Sequence, residues 1–149
     1  MRALAVLLAS GLVACAPTEN VDTSSADAMA NSAGTVTVTV NGARANGGPV
    51  LVALQSPAEF ARAAGRFAQT AQASASSVTV TFTGVPAGTY AAAAVQDTDG
   101  NGTFTIGQTG PTEPWGLSGA PQSGPPAFGP ASFTTDAAGG TAAVTLSGG

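Results

Sequence analysis

The sequence predicts an all-β protein, an antiparallel β-sandwich of about seven strands with one short helix and a long Pro/Gly-rich loop. The first observation is strict alternation of threonine with an apolar side chain, valine or phenylalanine, in Thr35–Val40 and again in Val78–Thr83. The second is a series of further short apolar runs separated by Gly, Pro and Asn. The third is composition: 44% apolar and 8% charged residues over 149 positions suit one domain with a core.

The N-terminus is predicted to be a cleaved export signal covering residues 1–14. Met1-Arg2 provides a basic start, and Ala3–Val13 is an apolar run without charge. As a helix this run rises about 16 Å, roughly half the thickness of the hydrocarbon core, so it is too short to cross a bilayer. A short apolar run behind a basic start is typical of a signal peptide.

Leu12-Val13-Ala14-Cys15 resembles the lipobox of bacterial lipoproteins, and Cys15 is the sole cysteine of the chain. The resemblance implies cleavage before Cys15, a diacylglyceryl thioether on its sulfur and a third acyl chain on the new amino group. Several acyl chains anchor a protein firmly. Ala16, in place of an acid, favours the outer membrane, facing the periplasm or the surface. The alternative is an ordinary signal with an incidental cysteine.

Residues 15–34 then form the lipidated cysteine and a small, polar, flexible linker, and residues 35–149 form the sandwich. The predicted strands are Thr35–Val40, Val50–Leu54, Val78–Thr83, Tyr90–Val95 and Thr141–Leu146, with shorter ones at Thr103–Ile106 and Ala131–Thr134.

A short helix is predicted to begin at Ser56. Ser56–Glu59 supplies an N-cap, a proline at the first helical position and a capping-box glutamate. Phe60, Ala64 and Phe67 then fall on one stripe, which we expect to cover an open end or edge of the sandwich.

Two sets of motifs carry a family resemblance. Gly84–Tyr90 resembles the Pro-x-Gly-x-Tyr segment of transthyretin-like sandwiches. Asp97–Gly102, Gly110–Ser118 and Gly124–Phe128, in that order, resemble an uncharacterised bacterial envelope family, domain of unknown function 2141. The resemblance covers Thr35–Leu146 and implies a secreted, transthyretin-like or Ig-like sandwich without an assigned activity.

The acidic segment after Tyr90–Val95 has the spacing of the first half of a calcium loop, although no helices flank it. Calcium takes six to eight oxygens, and alternating oxygen-bearing side chains before a glycine can surround one point. The family commonly has an acid where this chain has Thr105, so the site lacks one carboxylate. The alternative is a plain hairpin turn rich in Asp, Asn and Gly. The candidate ligands are Asp97, Asp99, Asn101, Thr103, Thr105 and Glu113.

The Pro/Gly-rich segment Gly107–Ala131 contains Trp115, the sole tryptophan. A long irregular segment in a compact domain is typically functional or disordered, and its prolines favour an ordered flap. One interpretation has Trp115 and Phe128 packing this flap onto the sandwich. The other makes Trp115 a stacking platform for a sugar or a peptide.

The residue inventory leaves little for catalysis, because the chain has no histidine and no lysine and its sole cysteine is the predicted lipid carrier. Ser-His, Cys-His, lysine-base and His-rich zinc chemistries are thereby excluded. Only a carboxylate pair, Asp97 or Asp99 with Glu113, remains for hydrolysis. A net charge of −4 with four arginines also argues against nucleic acid as a partner.

The sequence therefore predicts a non-catalytic exported envelope lipoprotein module, structural or ligand-binding and weakly stabilised by calcium, without catalytic residues. The alternative is a calcium-dependent module that binds a cell-wall glycan or an envelope protein through Trp115. A carboxylate-based hydrolase is the less favoured reading.

Overall fold

The computed structural model describes residues 33–62 and 65–149, so the predicted signal, Cys15 and nearly all of the linker lie outside the described residues. One short helix, α1, spans Phe128–Ala131. The strands are β1 Ala33–Asn41, β2 Pro49–Gln55, β3 Phe67–Gln72, β4 Ser77–Pro86, β5 Gly88–Gln96, β6 Ile106–Gly107, β7 Gly110–Pro111, β8 Trp115–Leu117, β9 Ser132–Thr135 and β10 Gly140–Thr145. No helix in this described part is long and apolar enough to cross a membrane.

Two sheets form the predicted sandwich. The first has the order β10–β1–β4, and the second has the order β3–β2–β5–β8, with β9 also paired to β5. The strands β6 and β7 form a separate hairpin. The pairings are antiparallel except that between β1 and β10, which is parallel.

The core lies between the two sheets and follows the alternation read from the sequence. The valines of β1 face inward, while its threonines face outward. Burial of each such aliphatic side chain contributes about 1.5–3 kcal/mol. The largest contributors are Val36, Val38 and Val40 of β1, Val80 and Phe82 of β4, Val50, Val52 and Leu54 of β2, and Val144 of β10.

The predicted helix beginning at Ser56 is wrong. Only half of its capping box forms: the Glu59 carboxylate accepts hydrogen bonds from the Ser56 N–H at 3.0 Å and hydroxyl at 2.7 Å, while the Glu59 N–H donates to the Ser56 carbonyl. Residues 57–62 nevertheless make only turns, and Ala61 has φ of 55°, a left-handed conformation that costs about 1–2 kcal/mol. Phe67, expected on the helical stripe, begins β3 and packs edge-on against Tyr90.

Two further corrections concern the C-terminal half. The predicted strand Thr103–Ile106 is wrong for its first three residues, and only Ile106 lies in a strand, β6. The segment Gly107–Ala131 is less irregular than predicted, because it holds β7, β8 and α1. Phe128 of α1 packs edge-on against Phe60 at 5.5 Å, which ties this segment to the turn at 57–62.

Candidate functional site

The acidic loop, residues 97–105, leaves the end of β5 and is organised by Asp97. The Asp97 side chain is buried, and its Oδ1 accepts hydrogen bonds from the backbone N–H of Gly100 at 2.7 Å and Asn101 at 3.1 Å. Its Oδ2 accepts from the N–H of Gly102 at 2.7 Å. Gly100 and Gly102 both have φ of 74°, so the loop needs glycine at these two turns.

Glu113 closes the same loop from outside it. Its side chain is only 1% exposed. One carboxylate oxygen accepts from the N–H of Thr98 at 3.0 Å, and the other accepts from the N–H of Thr105 at 3.1 Å. Glu113 thus folds back onto the loop, and its carboxylate joins the two ends of the loop.

The structure brings three of the six candidate metal ligands together. Asp97, Asp99 and Glu113 each place a carboxylate oxygen within 4.8 Å of the other two. The remaining three support the loop instead. Asn101 Oδ1 accepts from the N–H and hydroxyl of Thr103, while Asn101 Nδ2 donates to Asp99 and to the Thr105 hydroxyl.

Two opposing effects set the pKa of Asp97. Burial disfavours the charged carboxylate and by itself raises the pKa, but the N–H donors of Gly102, Gly100 and Asn101 stabilise the charge and bring the pKa below its ordinary value. Asp97 is therefore ionised at neutral pH and suited to hold the loop or a cation.

This direction predicts an acid-sensitive loop. Because the pKa of Asp97 is lower in the folded protein than in the unfolded chain, its contribution to stability is present above about pH 4 and is lost as the pH falls further. The melting temperature should therefore decrease as the pH is lowered below about 4. In Asp97→Asn this decrease should be less steep. An equally steep fall in that variant would contradict the role of Asp97. Glu59 also contributes to the loss of stability in acid, because the Ser56 hydrogen bonds lower its pKa. Glu59→Gln is therefore the control that separates this contribution from that of Asp97.

Beside the loop, the outer face of the second sheet forms an apolar groove. Two cross-strand rows make its floor: Thr70, Leu51, Val95 and Trp115 in one, and Ala68, Ala53, Ala93 and Leu117 in the other. Phe60, Arg62 and Pro126 also line the groove, as do Phe104 and Ile106. Its volume is about 790 Å³, within the range of small-molecule sites.

The acidic loop and the groove share a wall. Phe104 lies in the loop and Ile106 directly after it; they are 41% and 67% exposed and line the groove. The Phe104 ring lies 6.1 Å from the indole of Trp115, tilted by 49°. Trp115 is half-buried in β8, so it packs against its neighbour and also presents surface to the groove.

Sequence reasoning missed the groove and two buried polar anchors. Ser118 Oγ donates to the carbonyl of Ala131 and accepts from the N–H of Ala92 at 2.8 Å, joining α1 to β5. The side-chain amide of Gln96 accepts a hydrogen bond from the Arg44 N–H at 2.8 Å and donates one to the Arg44 carbonyl at 2.7 Å. These two bonds fix the loop after β1. The groove had a signal in the sequence: β2 and β5 are apolar on both faces, whereas β1 and β4 alternate with threonine.

Comparison with protein families gives one match. The model for an uncharacterized protein conserved in bacteria, DUF2141, matches residues 38–143. Neither the curated proteins nor the solved structures contain a match to the chain.

Proposed function

The chain belongs to the DUF2141 family of uncharacterized bacterial proteins, and from that premise we propose that it is a non-catalytic, exported, lipid-anchored module of the cell envelope. The domain binds a ligand in the groove on the outer face of the second sheet. The observation that carries this proposal is the apolar floor of that groove. The outward residues of β1 and β4 are mainly threonines, whereas those of β2 and β5 include the apolar Leu51, Ala53, Ala93 and Val95.

An apolar concave surface of this kind is typical of a binding site, because single domains rarely leave contiguous apolar patches open to water. The middle of the floor is formed by alanine side chains, while the polar groups Gln55, Gln69, Thr70 and Thr103 line the groove around it. This lining favours an apolar ligand over the cell-wall glycan that Trp115 alone suggests.

Calcium has a structural role in this proposal. The carboxylates of Asp97, Asp99 and Glu113 supply the hard oxygen ligands that calcium prefers, and water completes the shell. Affinity is weak, around 10⁻⁴ to 10⁻³ M, as in other extracellular modules. Bound calcium stabilises the loop that leads into Phe104, and so keeps the groove wall in place.

The geometry gives little support to the hydrolase alternative. A carboxylate hydrolase needs one acid that stays protonated near neutral pH, with a raised pKa. The pKa of Asp97 is lowered, and both oxygens of Glu113 accept backbone hydrogen bonds. These carboxylates hold the loop, which fits a binding module better than an enzyme.

The test is binding of N-phenyl-1-naphthylamine, an uncharged dye that fluoresces in apolar sites, to the full chain with Cys15→Ser. Ala93→Phe fills the middle of the floor, so we expect at least about tenfold weaker binding. Ala143→Phe is the matched control, because Ala143 is an exposed strand residue of the first sheet. Equal binding by both variants, or no binding by the unsubstituted domain, would contradict the proposal.

A further inference from the structure

We propose that the ligand of the groove is an amphiphile with a single alkyl chain and an anionic head group, such as a free fatty acid. The alkyl chain lies along the floor, and the carboxylate meets Arg62. This inference rests on the proposed function and adds the chemical class of the ligand.

The shape of the groove suits one linear chain. The lining covers β2 and β5 from Leu51 to Gln55 and from Ala93 to Val95, with Phe60 and Arg62 in the turn after β2 and Phe104 and Ile106 beyond the end of β5. Between the register pairs Gln55–Ala91 and Leu51–Val95 the strands advance four residues, or about 13 Å. A volume of about 790 Å³ accommodates one alkyl chain of this length with room to spare.

The floor suits an alkyl chain because the side chains in its middle are small and apolar. Ala53 and Ala93 lie side by side in the middle of β2 and β5, with Ala68 and Leu117 on the flanking strands, so small side chains keep the centre of the floor low. A ligand lying there loses its contacts with water and gains no hydrogen bonds from the floor. A polar ligand would pay a desolvation penalty at this place, whereas an alkyl chain does not.

Charge sets the orientation of the head group. Arg62 is exposed at one end of the groove, and its guanidinium has no hydrogen-bond or ion-pair partner among residues 33–62 and 65–149. The opposite end adjoins the three carboxylates of the acidic loop, which repel an anion. An anionic head group is therefore attracted to the Arg62 end, and the alkyl tail points toward Phe104 and Trp115.

The fluorescence of Trp115, the sole tryptophan, reports occupancy directly. We would titrate the full chain with Cys15→Ser using dodecanoate and, separately, dodecanol, which has the same chain and no charge. Dodecanoate is expected to bind roughly fivefold more tightly than dodecanol. Arg62→Gln should remove this difference, and Arg66→Gln should keep it, because Arg66 lies four residues away and does not line the groove.

Equal affinity for the acid and the alcohol, or an unchanged preference in Arg62→Gln, would overturn the inference while leaving the dye-binding groove intact. Self-association that Ala93→Phe abolishes would also overturn it, because the occupant would then be a second copy of the chain. Absence of binding by the dye and by both alkyl probes would instead overturn the proposed function itself.

Discussion

Glu113→Ala is expected to lower the free energy of unfolding by about 2–3 kcal/mol. The substitution leaves the N–H groups of Thr98 and Thr105 without their acceptor in a partly buried site. It also removes one of the three clustered carboxylates and opens a void where a side chain only 1% exposed now lies. Urea denaturation measures the loss.

Calcium separates the structural role of Glu113 from its role as a ligand. Millimolar calcium should raise the melting temperature of the unsubstituted protein, because a ligand that binds only the folded state stabilises it. The rise should vanish in Glu113→Ala. In Asp136→Ala it should remain, because Asp136 is an exposed acid outside the cluster. A melting curve of Glu113→Ala that matches the unsubstituted protein would contradict the account of the loop.

Cys15→Ser is expected to move the protein from the membrane fraction to the soluble fraction and to abolish palmitate incorporation. Each buried methylene contributes about 0.8 kcal/mol, so two or three acyl chains make release negligible, whereas a chain without them has no such anchor. Fractionation and radiolabelled palmitate measure the two effects.

The lipobox prediction requires the cysteine to stand at position 15, directly after Leu12–Ala14. The matched control therefore adds Ser24→Cys to the Cys15→Ser chain. The cysteine then lies in the predicted linker, away from Leu12–Ala14, and labelling should stay absent. Palmitate incorporation that persists in Cys15→Ser would refute the anchor, and labelling restored by Ser24→Cys would refute the lipobox as its signal.

Much of the sandwich was predictable because its strands carry period-two or continuous apolar patterns. The alternation in β1 and β4 indicates one face in the core and one in water, and the structure confirms it. Strand β3 was not predictable, because its sequence from Phe67 to Gln72 is half polar and mostly exposed. Pairing with β2 along six residues, rather than local preference, makes it a strand.

The failed helix shows where local signals lose to tertiary contacts. Glu59 does accept the Ser56 N–H expected of a capping box, but its Oε1 also accepts the N–H of Arg66 at 3.3 Å, which turns the chain back. Gly65 passes so close to β2 that an added Cβ would lie 1.9 Å from the carbonyl oxygen of Leu54. The chain therefore leaves the helical path to reach β3.

The carboxylate cluster and the groove also differ in how far the sequence predicts them. The three carboxylates were predictable from spacing, since Asp97 and Asp99 share one turn and Glu113 is the next acid along the chain. The apolar faces of β2 and β5 hinted at a groove, but its full lining was not predictable, because it comes from β2, β3, β5, β6, β8 and three connecting segments that only the fold brings together. Arg62 gained a candidate role only through its position at the end of that groove.

Nuclear magnetic resonance mapping of the dye on the isotope-labelled full chain with Cys15→Ser tests the groove most directly. We expect shift changes concentrated on the methyl groups of Ala53, Ala93 and Val95. Thr79 and Thr81, on the outer face of the first sheet, should keep their shifts. Changes on those threonines, or changes spread evenly over both sheets, would contradict a ligand site on the second sheet.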